Sequence, residues 1–279
     1  TARSVLRLVP EHSEIMGDIR IDGSSIMRLN PKELRRLRRQ TVALIHQDPR
    51  AAMNPMRTIG DYLTEELRGE PKPVREARAI DALQEVGIAD GQRRLRQYPH
   101  QLSGGLLQRV VIAASIIPGP SLIVADEPTT ALDVTTQSEV MALLREEQQQ
   151  RGLSMLFITH DLDLAAAVTD RLAVMYAGTV VESGPAATVL SHPRHPYTVA
   201  LMAARPNLEA KQRLSTIPGV ALSGGEVAGC PFAERCPLAQ DLCRKERPAL
   251  KLVDDHLVAC HRSGEVDVDS ILDREGVTP

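Results

Sequence analysis

Compact apolar runs alternate with longer helical patterns along this chain. Residues 41–45, 122–125 and 155–159 are short and almost wholly apolar, as strands buried on both faces are. Alternation of such runs with helical segments is the signature of an α/β sheet. Ile19 and Ile21 flank Arg20 just before Asp22 and Gly23, which predicts a strand leading into a hairpin. Residues from about 58 to 117 are mostly helical in pattern but broken by Gly69, Pro71, Pro73, Gly91 and Pro99, so an inserted helical subdomain is expected there. A polar, Gln-rich helix over 135–150 leads through Arg151-Gly152 into the next strand and completes a βαβ unit. Residues 171–183 predict a second hairpin, with Gly178 at its turn and Gly184-Pro185 closing it. Beyond Ala186 the alternation fades while Pro, Cys and charge increase. The expected organisation is therefore one domain over 1–185 and an extension over 186–279. Residues 1–8 read as a helix with Val5, Leu6 and Leu8 on its apolar side, and position 1 is Thr, not Met. A chain opening inside an element leads to the expectation that an N-terminal segment precedes it.

Composition narrows the function classes. Apolar residues make up 43% and charged residues 25% of 279, near the globular average, which excludes wholesale disorder. The net charge of −3 offers no broad basic face, and with 2% aromatics and no Trp there is no platform for stacking bases, so a nucleic-acid partner is not expected. The longest clean apolar stretch, 110–117, falls far short of the ~20 residues of a membrane span. No basic segment followed by an apolar core opens the chain, so a reducing compartment is expected. The run Arg35, Arg36, Arg38, Arg39 reads as a solvated helix face.

The chemistry gathers at strand ends. Leu122-Ile123-Val124-Ala125 is followed by Asp126, Glu127 and Pro128, so two carboxylates stand at the carboxyl end of a buried strand, where open α/β sheets bind ligands. A strand running into a charged loop is the plain alternative. An acid pair in that place is costly unless a cation or a reacting water uses it: Asp126 would serve Mg²⁺ and Glu127 would take a proton from an attacking water. The next strand ends in Thr159-His160-Asp161, and the one upstream in His46-Gln47-Asp48-Pro49, so three strand ends converge. Leu102-Ser103-Gly104-Gly105 precedes a helical pattern containing Gln108 and Arg109. A Ser cap followed by two glycines leaves backbone N–H groups open to phosphate oxygens. Ser-Gly-Gly is also an ordinary loop, as its second copy at Ser223-Gly224-Gly225 illustrates.

With these segments in place the chain resembles the nucleotide-binding subunits of ABC transporters. In that likeness Gln47 sits in the Q-loop, Leu102, Ser103, Gly104, Gly105 and Gln108 in the signature motif, and Asp126 and Glu127 at the Walker B strand. Residues 129–133, ending in Asp133, resemble the D-loop, and His160 the switch histidine. Gln47-Asp48-Pro49 with Asn54-Pro55, Tyr98-Pro99-His100, the run 126–134, His195-Pro196-Tyr197-Thr198 and the Cys-rich tail resemble the dipeptide/oligopeptide importer branch. Leu106-Leu107 departs from it slightly. The resemblance implies an α/β P-loop NTPase core that binds ATP and Mg²⁺ and hydrolyses ATP to drive peptide import. It also implies a second ATPase subunit, two membrane permeases, an extracytoplasmic peptide-binding protein, and a place at the cytoplasmic face of the membrane. A phosphate-cradling GxxxxGK[ST] loop is absent from the 279 residues, and residues 1–4 resemble the helix that follows that loop. The expectation is an N-terminally truncated ATPase, inactive as this chain alone. The rival readings are another cargo (nickel, sugar or antimicrobial peptide) and a non-hydrolytic partner subunit.

Cys230, Cys236, Cys243 and Cys260 are separated by five, six and sixteen residues, with no tight Cys-x2-4-Cys pair of the kind zinc knuckles use. Four thiolates also suit an iron–sulfur cluster; zinc, with His256 and His261 in reserve, and free or disulfide-bonded cysteines remain open. The importer branch includes members with a 4Fe-4S cluster in this tail, and the resemblance carries that expectation onto these four positions.

Overall fold

The computed structural model describes residues 2–10, 12–130, 132–204, 217, 219, 220, 227–266 and 271. Thr1, Ala131 of the D-loop segment and the second Ser-Gly-Gly copy, Ser223 to Gly225, lie outside the described residues. The chain forms two compact units, Thr1–His160 and Asp161–Pro279.

In the first unit, helix α1 (Ala2–Val5) precedes the two-stranded hairpin β1 (Arg20–Ile21) and β2 (Ser24–Ser25). Asp22 (φ 49°) and Gly23 (φ 76°) are both left-handed, as a two-residue turn between right-twisted strands requires. Helix α2 (Pro31–Gln40) starts with Pro at its first turn, and Asn30 caps it by accepting from the backbone N–H of Lys32 and Glu33 at 3.0 Å each. The Glu33 carboxylate accepts from the Asn30 N–H at 2.8 Å, which closes a capping box. Strand β3 (Val42–Ile45) then enters the central sheet. The helical stretch follows as α3 (Ile59–Leu63), α4 (Lys72–Glu85), α5 (Gly91–Arg94) and α6 (Gly104–Ile116), with a 3-10 turn at Pro99–Gln101. Gly69, Pro71, Gly91 and Pro99 fall at element boundaries, and Pro73 sits in the first turn of α4. Gly60 lies so close to Leu95 that a Cβ would meet the Leu95 carbonyl oxygen at 2.8 Å. Strand β4 (Leu122–Asp126), helix α7 (Val134–Arg151) and strand β5 (Ser154–Ile158) complete the unit.

The sheet order is β3-β4-β5, all parallel. Ile45 pairs with Ala125 and Ala125 with Phe157, so the three strands end level. This register brings Gln47, Glu127 and His160 to one edge. Ile123, Val124 and Ala125 are completely buried, and α6 packs Leu107, Val110, Val111, Ile112 and Ile116 inward. Burial of each such Leu or Ile contributes about 1.5–3 kcal/mol. The functional edge thus rests on a rigid apolar base.

The second unit contains α8 (Leu162–Val168), β6 (Arg171–Tyr176), β7 (Thr179–Pro185), α9 (Ala186–Ser191), α10 (Pro196–Ala203), α11 (Asp241–Lys245), β8 (Lys251–Val253) and β9 (His256–Val258). Its antiparallel sheet runs β6-β7-β9-β8. The expected hairpin is present, with Ala177 (φ 45°) and Gly178 (φ 77°) at its turn. Because β7 pairs with β9 through Glu182–Val258 and Ser183–Leu257, the hairpin belongs with the tail, and the units divide at His160–Asp161, ahead of the position near 186 expected from the sequence. Strands of three residues, such as β8 and β9, are too short to display an alternating pattern. Tyr176, Tyr197 and Phe232 form the aromatic core of this unit, the Tyr176 ring 4.7 Å from Tyr197 and 5.2 Å from Phe232. Among the described residues no helix is long and apolar enough to cross a membrane.

Candidate active site and a cysteine-lined cavity

Glu127 follows β4 directly and is the hub of the strand-end cluster. Gln47 Nε2 donates to its Oε2 at 2.7 Å, Thr130 Oγ1 donates to the same oxygen at 2.9 Å, and His160 Nδ1 stands 3.1 Å from Oε1. The bond with His160, then that with Thr130, holds the carboxyl below its ordinary value of 4.5. Its backbone is left-handed (φ 46°), an arrangement costing a non-glycine residue about 1–3 kcal/mol. The Glu127 N–H donating to the Ile158 carbonyl at 2.9 Å fixes that geometry. Asp126 ends β4 and shares a cavity of about 320 Å³ with Gln47, His46, Asp48 and Arg3. A carboxylate and an amide oxygen in one polar cavity fit a hard cation that prefers oxygen ligands.

A second cluster joins the glycine-rich turn to α7. Ser103 caps α6 by accepting from the Leu106 N–H at 3.4 Å. Asp133 caps α7: it accepts from the Thr136 N–H at 3.0 Å and from Thr136 Oγ1 at 2.7 Å, and these bonds lower its pKa. Thr136 in turn packs on Gly105, where a Cβ would meet its Cγ2 at 2.7 Å, whereas the Cβ position of Gly104 is open. Leu102 is buried. Gln108 is 1% exposed with Nε2 unpartnered, so it is packed inward in this arrangement. Arg109 fastens α6 in place through the Val86 carbonyl at 2.7 Å and Glu139 at 2.6 Å.

In the second unit Cys230, Cys236, Cys243 and Cys260 all line one small cavity of about 20 Å³, with His195, Phe232, Leu238, His261 and Arg262 among its other walls. All four are free thiols. Burial raises Cys230, pushes Cys236 up to about 12 and Cys260 up to about 11, and the neighbouring thiols add to these shifts. Opposing this, backbone N–H groups donate to sulfur: Phe232 and Ala233 to Cys230, Leu238 to Cys236, and Arg262 to Cys260 at 3.3 Å. An N–H two residues after the cysteine recurs at three of the four. Such bonds stabilise a thiolate, so the donor set fits a thiolate-bound group. Among the described residues, however, no group of three or more His, Cys, Asp or Glu side chains is arranged to hold a metal ion.

Beside this cavity Glu182, 0% exposed, accepts from the backbone N–H of Arg194 at 2.6 Å and of His195 at 3.1 Å. His256 Nε2 lies 2.9 Å from its Oε1.

Residues 4–130 match the family described as ABC transporter, and residues 181–243 the family described as oligopeptide/dipeptide transporter, C-terminal region. The dipeptide transport ATP-binding protein DppD of Escherichia coli is 44% identical over 92% of this chain and 81% of its own length. The probable peptide ABC transporter ATP-binding protein y4tR of Sinorhizobium fredii is 40% identical over 95% of this chain and 82% of its own. The chain belongs to the peptide-transport branch of the ABC transporter ATP-binding proteins. Among solved structures, the ATP-binding cassette MJ0796, a dimer bound to ADP and Pi, aligns with a TM-score of 0.58 at 26% identity, covering 66% of this chain and 78% of that one. CbiO1 of Clostridium perfringens aligns with a TM-score of 0.59 at 26% identity, over 71% and 76%. The fold is that of the ABC ATPase cassette.

For this ABC protein, the structure gathers Gln47, Asp126, Glu127 and His160 at one sheet edge. It ties Ser103, Gly104 and Gly105 to Asp133 through a separate contact, Thr136 against Gly105. Sequence reasoning overlooked Thr136 and Glu182. The signal for Glu182 is a lone carboxylate following Val180 and Val181 in a strand; nothing local marks Thr136.

Proposed function

We propose that this chain is the ATP-hydrolysing subunit that energises peptide import through a membrane ABC transporter. The observation that carries the reading is the Gln47–Glu127–His160 constellation at the end of β4. Glu127 accepts the proton of the water that attacks the γ-phosphate, and its depressed pKa keeps it ionised for that task. In the resting arrangement both carboxylate oxygens are engaged, so water must replace one of these partners before reaction. Asp126 and Gln47 would hold Mg²⁺, which neutralises developing phosphate charge. His160 contacts the terminal phosphate. Ser103, Gly104 and Gly105 offer their open N–H groups to nucleotide bound by a second ATPase subunit, and Asp133 couples the two sites. Two permeases and a peptide-binding protein complete the assembly at the cytoplasmic face of the membrane. The names of the relatives, dipeptide and oligopeptide transport proteins, favour a peptide cargo.

The test is peptide-stimulated phosphate release and uptake by the reconstituted transporter. Uptake of nickel or a sugar in place of peptide overturns the cargo, and hydrolysis confined to the partner ATPase overturns the catalytic role. The same reading places a 4Fe-4S cluster on Cys230, Cys236, Cys243 and Cys260, supported by their shared cavity and the N–H groups aimed at their sulfurs. The cluster would tie the tail together and take no part in hydrolysis. Anaerobically purified protein should be brown with about four irons per chain; about one zinc, or no metal, overturns the assignment.

A further inference from the structure

The glycine-rich turn at the start of α6 has little of its own to hold it. Gly104 and Gly105 carry no side chain, and the Ser103 cap accepts from the Leu106 N–H at the long distance of 3.4 Å. Glycine admits more backbone conformations than other residues, so the place of this turn has to be set from outside α6. Beyond that helix, the three heavy atoms nearest to where a Gly105 Cβ would stand all belong to Thr136 in α7: Cγ2 at 2.7 Å, Oγ1 at 3.7 Å and Cβ at 3.8 Å. The close contact is made by one methyl group.

That methyl is itself aimed. Thr136 donates its Oγ1–H to Asp133 Oδ2 at 2.7 Å and its backbone N–H to Oδ1 at 3.0 Å, so both carboxylate oxygens of Asp133 are engaged with this one residue. A β-branched side chain has few χ1 choices in a helix. The bond to Asp133 selects one of them and leaves Cγ2 against Gly105. One turn further along both helices Arg109 donates to Glu139 at 2.6 Å, which keeps α6 beside α7. The succession Asp133, Thr136, Gly105 then fixes how far the turn stands from the start of α7.

We infer that Thr136 is a positioning residue for ATP hydrolysis: its Cγ2 sets the Gly104-Gly105 turn against Asp133, so that the turn and Asp133 meet a second ATPase subunit in one register. The inference rests on the roles proposed above for the turn and for Asp133. Thr136 itself touches neither nucleotide nor water in this account and acts only through Gly105. A displacement of about 1 Å from a productive geometry lowers a rate by up to about 10²-fold, and loss of one methyl contact permits a fraction of that movement.

The experiment compares Thr136→Ser, which keeps the hydroxyl bond to Asp133 and removes the methyl, with Thr136→Val, which keeps the methyl and removes the hydroxyl. In the isolated protein the Gly105 amide resonance should move in Thr136→Ser and stay near its wild-type position in Thr136→Val. In the reconstituted transporter Thr136→Ser should lower kcat about tenfold, with nucleotide affinity and melting temperature near wild type, and Thr136→Val should recover most of that loss. A role confined to stability would instead lower turnover only as the melting temperature falls. A Gly105 resonance unmoved in Thr136→Ser, or turnover in Thr136→Val as low as in Thr136→Ser, overturns the role of Thr136. A wild-type transporter in which this subunit hydrolyses no ATP overturns the reading on which the inference rests, and the Gly105 resonance then still decides whether Thr136 sets the turn.

Discussion

Glu127 in the first unit and Cys236 in the second are pushed in opposite directions by their surroundings. Glu127 stands at an open sheet edge, where His160, Thr130 and Gln47 hold the carboxylate in its charged form. Cys236 is walled in, so burial drives its thiol to about 12 despite an amide donor at its sulfur. The first site keeps a charge ready beside water, as proton transfer to a carboxylate demands. The second suppresses charge, as burial of a thiol does. The difference lies in what holds each site. Side-chain bonds that can be exchanged hold Glu127, whereas the cysteine cavity is walled by the rings of His195 and Phe232 and the apolar side chains of Pro196, Leu238 and Pro248.

That contrast is broken most severely at Glu182. Its carboxylate, wholly buried, satisfies the N–H groups of Arg194 and His195 and faces His256. Glu182→Ala leaves the Arg194 and His195 N–H groups without their acceptor, and a buried donor left unpaired costs about 1–3 kcal/mol. Denaturant unfolding should show a loss of that size, whereas Glu182→Gln should lose less. A destabilisation of Glu182→Ala no larger than that of an exposed substitution would mean that the second unit does not depend on its buried polar network.

At the first site the expected effect is on rate. Glu127→Gln should reduce turnover of the assembled transporter about 10²-fold or more, because shape is kept and the proton acceptor is lost. Nucleotide binding and the melting temperature should stay near wild type. The pH dependence gives a second check. Glu127 has a depressed folded-state pKa, so its contribution to the folded state is present above its ordinary value and disappears as pH falls through the lower folded value. Replacing His160 by Ala removes the first cause of the depression, and the ¹³C carboxylate titration of Glu127 should move upward toward 4.5. A titration that stays put would remove His160 from the cluster.

Much of the first site is legible in the amino-acid sequence because its logic is local. An apolar run followed by Asp126 and Glu127 announces a strand end, and parallel pairing brings Gln47 and His160 level with it. The Ser103 cap and the Asp22-Gly23 turn are likewise local. Glu182 is not readable in that way: its partners come from residues 194, 195 and 256, and only the β7–β9 pairing brings the last of them near. The division between the units is hidden for the same reason, since the strands that claim β6 and β7 for the tail are three residues long. The cysteines fall between these cases: their clustering after residue 229 is plain in the sequence, but only the fold shows that the four line one cavity with His195.

The smallest expected change in stability tests whether the glycine-rich turn serves its own chain or a partner. Gly105 is needed internally, because a Cβ there would meet Thr136 Cγ2 at 2.7 Å, while a Cβ on Gly104 would meet nothing within 4 Å. Gly105→Ala must therefore displace the Thr136 side chain that Asp133 holds, and overpacking of this kind costs about 1–3 kcal/mol. Gly104→Ala adds a methyl to open space at the start of α6 and should leave the melting temperature of the isolated protein unchanged or slightly raised, since alanine favours helix over glycine. On the role proposed for the turn, the same methyl would crowd phosphate oxygens of nucleotide held by a second ATPase subunit. ATP hydrolysis should fall in Gly104→Ala although the protein alone is as stable as wild type. Full activity in that variant would confine the turn to an internal role, with Gly105 kept for its contact with Thr136 and the open Gly104 N–H facing only water.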